Sequence, residues 1–507
     1  MPHRLKYSAI AGAKPFTWIV LALISFVAIA GKPPVAAAQH AANRPNVLFL
    51  AVDDLRPDIG CFGNAEAKTP NIDALAGRGM VFRRAYCQQA VCSPSRTSLL
   101  TGLRPDSTKV YDLVTHFRNT VPDVVSLPQH FRESGYYTVG LGKIYHPGYD
   151  DPKSWSQPHR NGPGESYVLA ENKRRMAAGK SGEKAKGRRQ SAPGSRGEPF
   201  EMADVPDNAY QDGSVADMAV ETLQELKNRS EPFFLAVGFL KPHLPFNAPK
   251  KYWDLFDPAQ LKLAENPFHP HDAPPYAVTD FGELRSYHGV PATGPVPDEL
   301  ARKLIHAYRA ATSYTDANIG RVLAELDRLG LRENTIVVLW GDHGWKLGEH
   351  ASWCKHTNME NDTNAPLLIA APGAKAAGQS TTALVEFVDV YPTLCDLAGL
   401  PLPKHLEGQS AKRLLDDPHH PWKTAAFSQY PRSSEGQPLM GYAMRTDRYR
   451  YVEWRKRNTR EVVAQELYDH QTDPAENQNL ALRPESKPLL TTLAAQLAAG
   501  WQAAVPK

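Results

Sequence analysis

The chain has 507 residues, more than one ordinary hydrophobic core accommodates, so two domains are the starting expectation. Hydrophobic residues make up 42% and charged residues 22%, a balance that excludes a disordered or fibrous chain. The net charge of +4 is local: residues 161–200 hold nine Lys/Arg against four Glu, and the run "ENKRRMAAGKSGEKAKGRR" has no aromatic residue on which a base would stack, so it reads as a solvated loop and not as a nucleic-acid site.

In chain order, the first element is a targeting segment. Arg4, Lys6 and Lys14 precede the apolar run "FTWIVLALISFVAIAG", and small residues follow in "PVAAAQ". A charged start, an apolar middle and an A-x-A-like end predict a secretory signal over residues 1–38, cut after Ala38. The run is short for a membrane span, so the expectation is an exported protein, periplasmic or secreted, with no stable membrane insertion after cleavage. Export permits disulfides. Five cysteines (Cys61, Cys87, Cys92, Cys354, Cys395) are nevertheless an odd count and sparse for this length, which excludes a disulfide scaffold.

Four later runs share one design. "NVLFLAV" (46–52) ends in Asp53-Asp54, and "YYTVGLG" (136–142) in Lys143 with His146 three residues on. "PFFLAVGF" (232–239) is followed by Lys241 and His243, and "TIVVLWG" (335–341) by Asp342-His343. Short continuous apolar runs of this kind are strands buried on both faces. Between the last two, "ARKLIHAYRAATSYTDANIGRVLAELDRLG" (301–330) puts Leu304, Tyr308, Ala311, Thr315, Val322 and Leu326 on one helical face, with Gly330 placed as a terminating glycine. Strands alternating with helices predict an α/β sheet covered on both sides, whose site lies beyond the carboxyl ends of the strands. If their strands are neighbours, Asp53, Asp54 and Asp342 meet. Three carboxylates together repel and call for a divalent cation, and oxygen donors suit calcium or magnesium better than zinc. His343 fits that preference least well.

"AYCQQAVCSPSRTSLLTG" (85–102) poses the remaining question: a disulfide half, a buried thiol, or a chemical group at Cys92. Pro94 suits a first helical turn, "SRTSLLT" continues it and Gly102 ends it. Cys92 then sits at a helix N-terminus, where backbone N–H groups favour negative charge, and Arg96 lies one turn along. A sulfate or phosphate ester suits such a place. Past "PHHPWKT" (418–423), a strand-like "GYAMRTDRYRYVEW" and the helical "KPLLTTLAAQLAAGWQ" predict a small antiparallel sheet with one helix. The expected division is therefore a catalytic domain over 44–420, carrying the basic insertion at about 160–200, and an α+β subdomain over 421–507.

"CSPSRTSLLTG" resembles the signature of the type I sulfatases, Cys-x-Pro-x-Arg with Thr-Gly downstream, and "FLAVDDLRPDIGCFGN", "KTPNIDALAGRGMVF", "WGDHGWKLGEH" and "ELYDHQTDPAENQNLA" extend the likeness over nearly the whole chain after the signal. Within that family the nearest likeness is to the iduronate-2-sulfatase branch, through "QQAVCSPSR", "RPDSTKVYD", "GKIYHPG", "FLKPHLPF" and the Asp342-His343 pair. The resemblance implies an alkaline-phosphatase-like sandwich with a large, mostly parallel mixed sheet. It implies that a formylglycine-generating enzyme oxidises Cys92 to an aldehyde during export. One calcium ion would be held by Asp53, Asp54, Asp342, His343 and the modified residue 92. It further implies that the aldehyde hydrate attacks sulfur, that His243 protonates the leaving alcohol and that His146 takes the proton whose loss expels sulfate. Lys143 and Lys355 would bind sulfate oxygens, Arg96 would orient residue 92, and Trp345 and His356 would contact the sugar. Lys241 stays outside this set. His356 stands where iduronate-type enzymes carry tyrosine, which bears on the sugar pocket. The expected substrate is a sulfated carbohydrate, a hexuronate or iduronate 2-sulfate. The competing readings are a phosphate or phosphonate ester hydrolase on the same fold and a non-catalytic sulfated-glycan binder. Turnover of sulfate against phosphate esters separates the first, and an intact Cys92 argues against the second.

Overall fold

The computed structural model of the chain describes residues 44–506 other than 187–192, so the secretory signal expected over 1–38 lies outside the described residues. The four charged-ended runs form strands β1 (Asn46–Val52), β3 (Tyr137–Gly142), β4 (Phe233–Phe239) and β5 (Thr335–Gly341). They join β2 (Met80–Tyr86), β6 (Leu367–Ala370) and β7 (Ser380–Glu386) in a seven-stranded sheet of order β3-β4-β1-β5-β6-β2-β7. All neighbours pair in parallel except β6, which runs antiparallel to both β5 and β2. The mixed, mostly parallel sheet matches the expectation. The four runs singled out by their charged ends are also four consecutive strands.

Each strand buries both faces, so alternate residues feed two cores. In β1, Val47, Phe49 and Ala51 pack with Leu99, Phe131 and Leu394, while Leu48, Leu50 and Val52 pack with Ile72, Leu223 and Val322. The first core is closed by α2 (Cys92–Thr101), α3 (Leu127–Glu133) and α7 (Val390–Leu397). The second is closed by α1 (Pro70–Ala76), α5 (Gln211–Lys227) and α6 (Asp298–Arg328). In α6 the six residues assigned to one face from the sequence are all buried, and Gly330 follows it with φ +69°.

Two local expectations change. The basic stretch, read as a loop, contains helix α4 (Ala170–Lys186). It is rich in Ala, Lys, Arg and Glu, which favour helix intrinsically, but has no apolar period to announce one. The single strand-like run near 441–454 is two strands. β9 (Gln437–Thr446) and β10 (Tyr449–Lys456) are joined by a tight turn in which the Thr446 hydroxyl accepts the Tyr449 N–H at 2.9 Å. With β8 (Ala425–Ser434) and β11 (Val462–Asp469) they form an antiparallel sheet in sequence order, covered by α8 (Lys487–Ala504). Among the described residues no helix is long and apolar enough to cross a membrane.

Candidate active site

The strand register brings the acidic residues together. β1 and β5 pair with Val52 opposite Gly341, so the next residues, Asp53 and Asp342, leave adjacent strands at one level. Asp54 turns back through a left-handed backbone (φ +59°), which aspartate tolerates better than most residues. Its N–H donates to Asp342 Oδ1 at 3.0 Å, and its carbonyl accepts the Tyr308 hydroxyl at 2.7 Å. Such a conformation persists only where surroundings over-determine it.

Helix α2 starts at Cys92 and ends before Gly102 (φ +67°), as the sequence predicts, and every one of its residues is buried. The Ser95 hydroxyl donates to the Asp342 carbonyl, pinning the helix to the end of β5. Cys92 Sγ lies 3.3 Å from Asp53 Oδ1 and 3.4 Å from His343 Nε2. Arg96 reaches back along the helix. Its Nε donates to Asp342 Oδ2 at 2.9 Å and a terminal nitrogen sits 3.3 Å from Asp53 Oδ1, while the other donates to the Lys143 and Ile144 carbonyls. One guanidinium thus ties β1, β3, β5 and α2 at a single point. No disulfide joins any of the five cysteines.

Asp53, Cys92, Asp342 and His343 each offer a donor atom within 4.8 Å of the others, and Asp53, Asp54, Cys92 and His243 form an overlapping set. His343 fits better than its residue type suggested. Its Nδ1 faces the Gly344 carbonyl at 3.0 Å, which only accepts, so Nδ1 carries the proton and Nε2 turns its lone pair toward Asp54 and Asp342, 3.5 and 3.6 Å away. Three carboxylates and one such imidazole fit a hard divalent cation.

Cations flank the acids. Lys143 contacts Asp53, and Lys355 donates to both Asp54 oxygens at 3.0 and 3.1 Å. Burial alone would raise the Asp53 carboxyl, but Lys143, His243 and Arg96 hold it well below the usual range. Asp342 shifts the other way, through burial and the Asp53 charge beside it. Burial and Asp53 push the Cys92 thiol well up, so as an unmodified thiol it is a poor nucleophile.

A cavity of about 700 Å³ opens over Cys92 and is lined by His146, His243, Lys355 and His356 among others. His146 is lowered to about 3 by burial and then by Lys143, and its buried Nδ1 has no hydrogen-bond partner among the described residues. His243 differs: Nδ1 faces the Leu244 carbonyl at 2.6 Å and Nε2 faces Glu283 at 3.1 Å, an acceptor on each side of the ring. His356, in a left-handed backbone (φ +91°), lines the cavity and meets the Tyr430 hydroxyl at 2.5 Å. Arg196, from the end of the basic stretch, also lines it.

Trp345 departs from the sequence reading, and Lys241 keeps its place outside the set. Trp345, expected as a sugar-contacting wall, does not line the cavity. It is 1% exposed, packed on Phe246, and its ring lies 4.7 Å under the Lys355 ammonium, so it supports that lysine from behind. Lys241 is buried and donates to the His243 and Pro245 carbonyls, bracing the loop that carries His243. Sequence reasoning also missed Glu283, which lines the cavity and contacts His243 at 3.1 Å, Lys355 at 2.9 Å and His356 at 3.8 Å. It lies in "TDFGELRSYHG", which carries neither a strand-end pattern nor a helical period.

The chain matches the Sulfatase family model over residues 45–400 and the N-sulphoglucosamine sulphohydrolase C-terminal model over residues 348–502. It is 35% identical to iduronate 2-sulfatase of Homo sapiens, an alignment covering 91% of this chain and 95% of that relative. Among solved structures it is similar to a 2-O GAG sulfatase (TM-score 0.69, 24% identity, 90% of this chain and 91% of that one). It is also similar to a phosphonate monoester hydrolase from Silicibacter pomeroyi (TM-score 0.70, 24% identity, 91% of this chain and 96% of that one). These two likenesses establish the alkaline-phosphatase-like fold. The family match and the relative go further: the chain belongs to the sulfatase family and is a sulfuric ester hydrolase.

Proposed function

We propose that the protein is an exported sulfatase that removes the 2-sulfate of a hexuronate, iduronate above all, from a sulfated saccharide, using formylglycine formed from Cys92 and one calcium ion. The observation that carries the reading is that Cys92, His146, His243 and Lys355 line one cavity while three aspartates, Arg96 and Lys143 are buried in contact with them. The 35% identity to human iduronate 2-sulfatase supports the substrate, and the charged, apolar, small-residue order of the N-terminus supports export.

Asp53, Asp54, Asp342 and His343, with residue 92, would hold the calcium, which when bound would polarise the sulfate ester. The aldehyde would supply a hydrated, two-hydroxyl nucleophile in place of a thiol that burial keeps protonated. Lys143 and Lys355 would balance the charge of the sulfate oxygens. Arg96, locked on Asp53 and Asp342, keeps the start of α2 against the strand ends and so fixes residue 92. His243, with an acceptor at each ring nitrogen, is built to carry a proton to the departing sugar oxygen. His146, neutral through the working pH range and with an unpartnered Nδ1, is built to take one.

Mass spectrometry of the peptide spanning Cys92 tests the chemistry: formylglycine is about 18 Da lighter than cysteine. An unmodified thiol in active native protein would refute the mechanism. Parallel turnover of an iduronate 2-sulfate and the matching phosphate ester tests the substrate, and faster phosphate cleavage would overturn it.

A further inference from the structure

The turn that carries His243 is held from outside by one buried carboxylate. Beyond β4 the chain turns over Leu240–His243, and the His243 N–H donates to the Leu240 carbonyl at 2.9 Å. Asp212, the second residue of α5, gives both oxygens to that turn. Oδ1 accepts the Leu240 N–H at 2.8 Å and Oδ2 accepts the Lys241 N–H at 2.7 Å. An acid in a first helical turn ordinarily faces its own helix's N–H groups or water. Asp212 is 2% exposed, and its two bonds leave the helix for the strand end next to it.

Helix α6 fixes both ends of this link. The Tyr314 hydroxyl accepts the Gly213 N–H at 2.6 Å, which seats the start of α5. Thr315, the next residue on α6, donates its hydroxyl to the Lys241 carbonyl at 3.0 Å. Gly213 has no room for a side chain, because a Cβ there would lie 2.1 Å from the Asp207 carbonyl oxygen. The start of α5 is therefore seated as closely as the turn it holds.

The charges agree with the geometry. Burial raises the Asp212 carboxyl to about 6 against its two N–H bonds, and Lys241 is the largest charge drawing it back. Burial lowers the Lys241 ammonium to about 8, and Asp212 is the largest charge opposing that fall. Each is the other's countercharge, and removing one leaves the other buried without it. Lys241 in turn donates to the His243 and Pro245 carbonyls at 2.9 and 2.6 Å. Asp212, Lys241 and Thr315 stand behind the wall of the catalytic cavity, whereas His243 lines it.

We propose that Asp212 is a positioning residue for the proton donor: it fixes the Leu240–His243 turn so that His243 Nε2 meets the cavity beside Glu283. This rests on the reading of His243 as the acid and deepens it, since the acid is aligned from α5, behind the cavity, as well as by Glu283 within it. A general acid works only within hydrogen-bond reach of the departing oxygen, and a displacement of about 1 Å costs on the order of 100-fold.

The test compares the full-length, exported protein with Asp212→Asn, Thr315→Val and His243→Gln, each assayed well below its melting temperature. One substrate is a sugar 2-sulfate, whose alkoxide needs a proton to leave; the other is an aryl sulfate, whose phenolate does not. Asparagine keeps one acceptor and aims an amide N–H at the second backbone N–H. Asp212→Asn should lower kcat on the sugar sulfate about 10- to 100-fold with KM within about 3-fold, and slow the aryl sulfate less than about 3-fold. Thr315→Val, which keeps the side chain's shape and removes one hydrogen bond to the same turn, should show the same selectivity at about 2- to 10-fold. It decides the matter by itself if Asp212→Asn fails to fold. His243→Gln should exceed both on the sugar sulfate alone. Equal losses on the two substrates in His243→Gln overturn the acid reading on which the proposal rests. A selective His243→Gln beside unselective or silent Asp212→Asn and Thr315→Val overturns the positioning role alone.

Discussion

Replacing Glu283 by glutamine removes a charge and keeps the shape. Burial would raise the Glu283 carboxyl, but Lys355 and His243 hold it well below its usual range, so it is ionised at working pH. Its oxygens sit 3.1 Å from His243 Nε2 and 2.9 Å from Lys355 Nζ. Glutamine puts an amide NH2 in place of one oxygen, so one of these two contacts loses its acceptor and the other loses the carboxylate's charge, a loss of about 1–2 kcal/mol if the proton on His243 is used in the rate-limiting step. That is about 5- to 30-fold in kcat. Stability should fall by about 1–2 kcal/mol, because a carboxyl held below its usual range contributes stability that glutamine cannot supply, and 18% exposure of the side chain screens it. The assay pairs two substrates: a sugar 2-sulfate, whose alcohol needs protonation to leave, and an aryl sulfate, whose phenolate does not. Glu283→Gln should slow the first by the stated factor and the second little, in an assay run well below its melting temperature. Equal losses on both substrates, or none on either, would refute a positioning role for Glu283.

Two further outcomes follow from the buried charges. Arg96→Gln leaves Asp53 and Asp342 without their shared partner and should lower stability by about 3–5 kcal/mol and abolish turnover, with Arg96→Lys intermediate in urea melts. A glutamine variant that melts like wild type would contradict it. Glu386 binds Arg104 in a fork at 2.7 and 2.8 Å and Lys423 at 2.8 Å. Burial opposes its ionisation, yet Arg104 and Lys423 bring its carboxyl from 4.5 down to about 2. A depressed acid contributes stability that is complete above its unfolded value and lost as pH falls toward the folded one. Glu386→Gln should therefore cost about 3–5 kcal/mol at pH 7, and the gap to wild type should close between about pH 4.5 and 2. A gap that stays constant down to pH 3 would be against it.

The sequence by itself determined the chemistry-bearing strand ends and the reactive helix. A strand buried on both faces must be written as a continuous apolar run, and polar residues follow its end, so Asp53, Lys143 and Asp342 announce themselves directly after their strands and His243 four positions after its own. The helix from Cys92 to Gly102 is equally local, set by Pro94 and a terminating glycine. Tertiary structure decided what no short window contains. It made the four runs consecutive strands, so that Asp53 and Asp342 leave paired ends. It turned Asp54 back through a left-handed backbone and chose the imidazole nitrogen that His343 offers. It sealed Trp345 behind Lys355, and it carried Glu283 from an unpatterned segment onto His243 and Lys355, 40 and 72 positions away in the chain. Periodicity records which side of an element faces the core. It holds nothing about which distant loop closes over a cavity, because that depends on packing between segments whose own sequences are silent about each other.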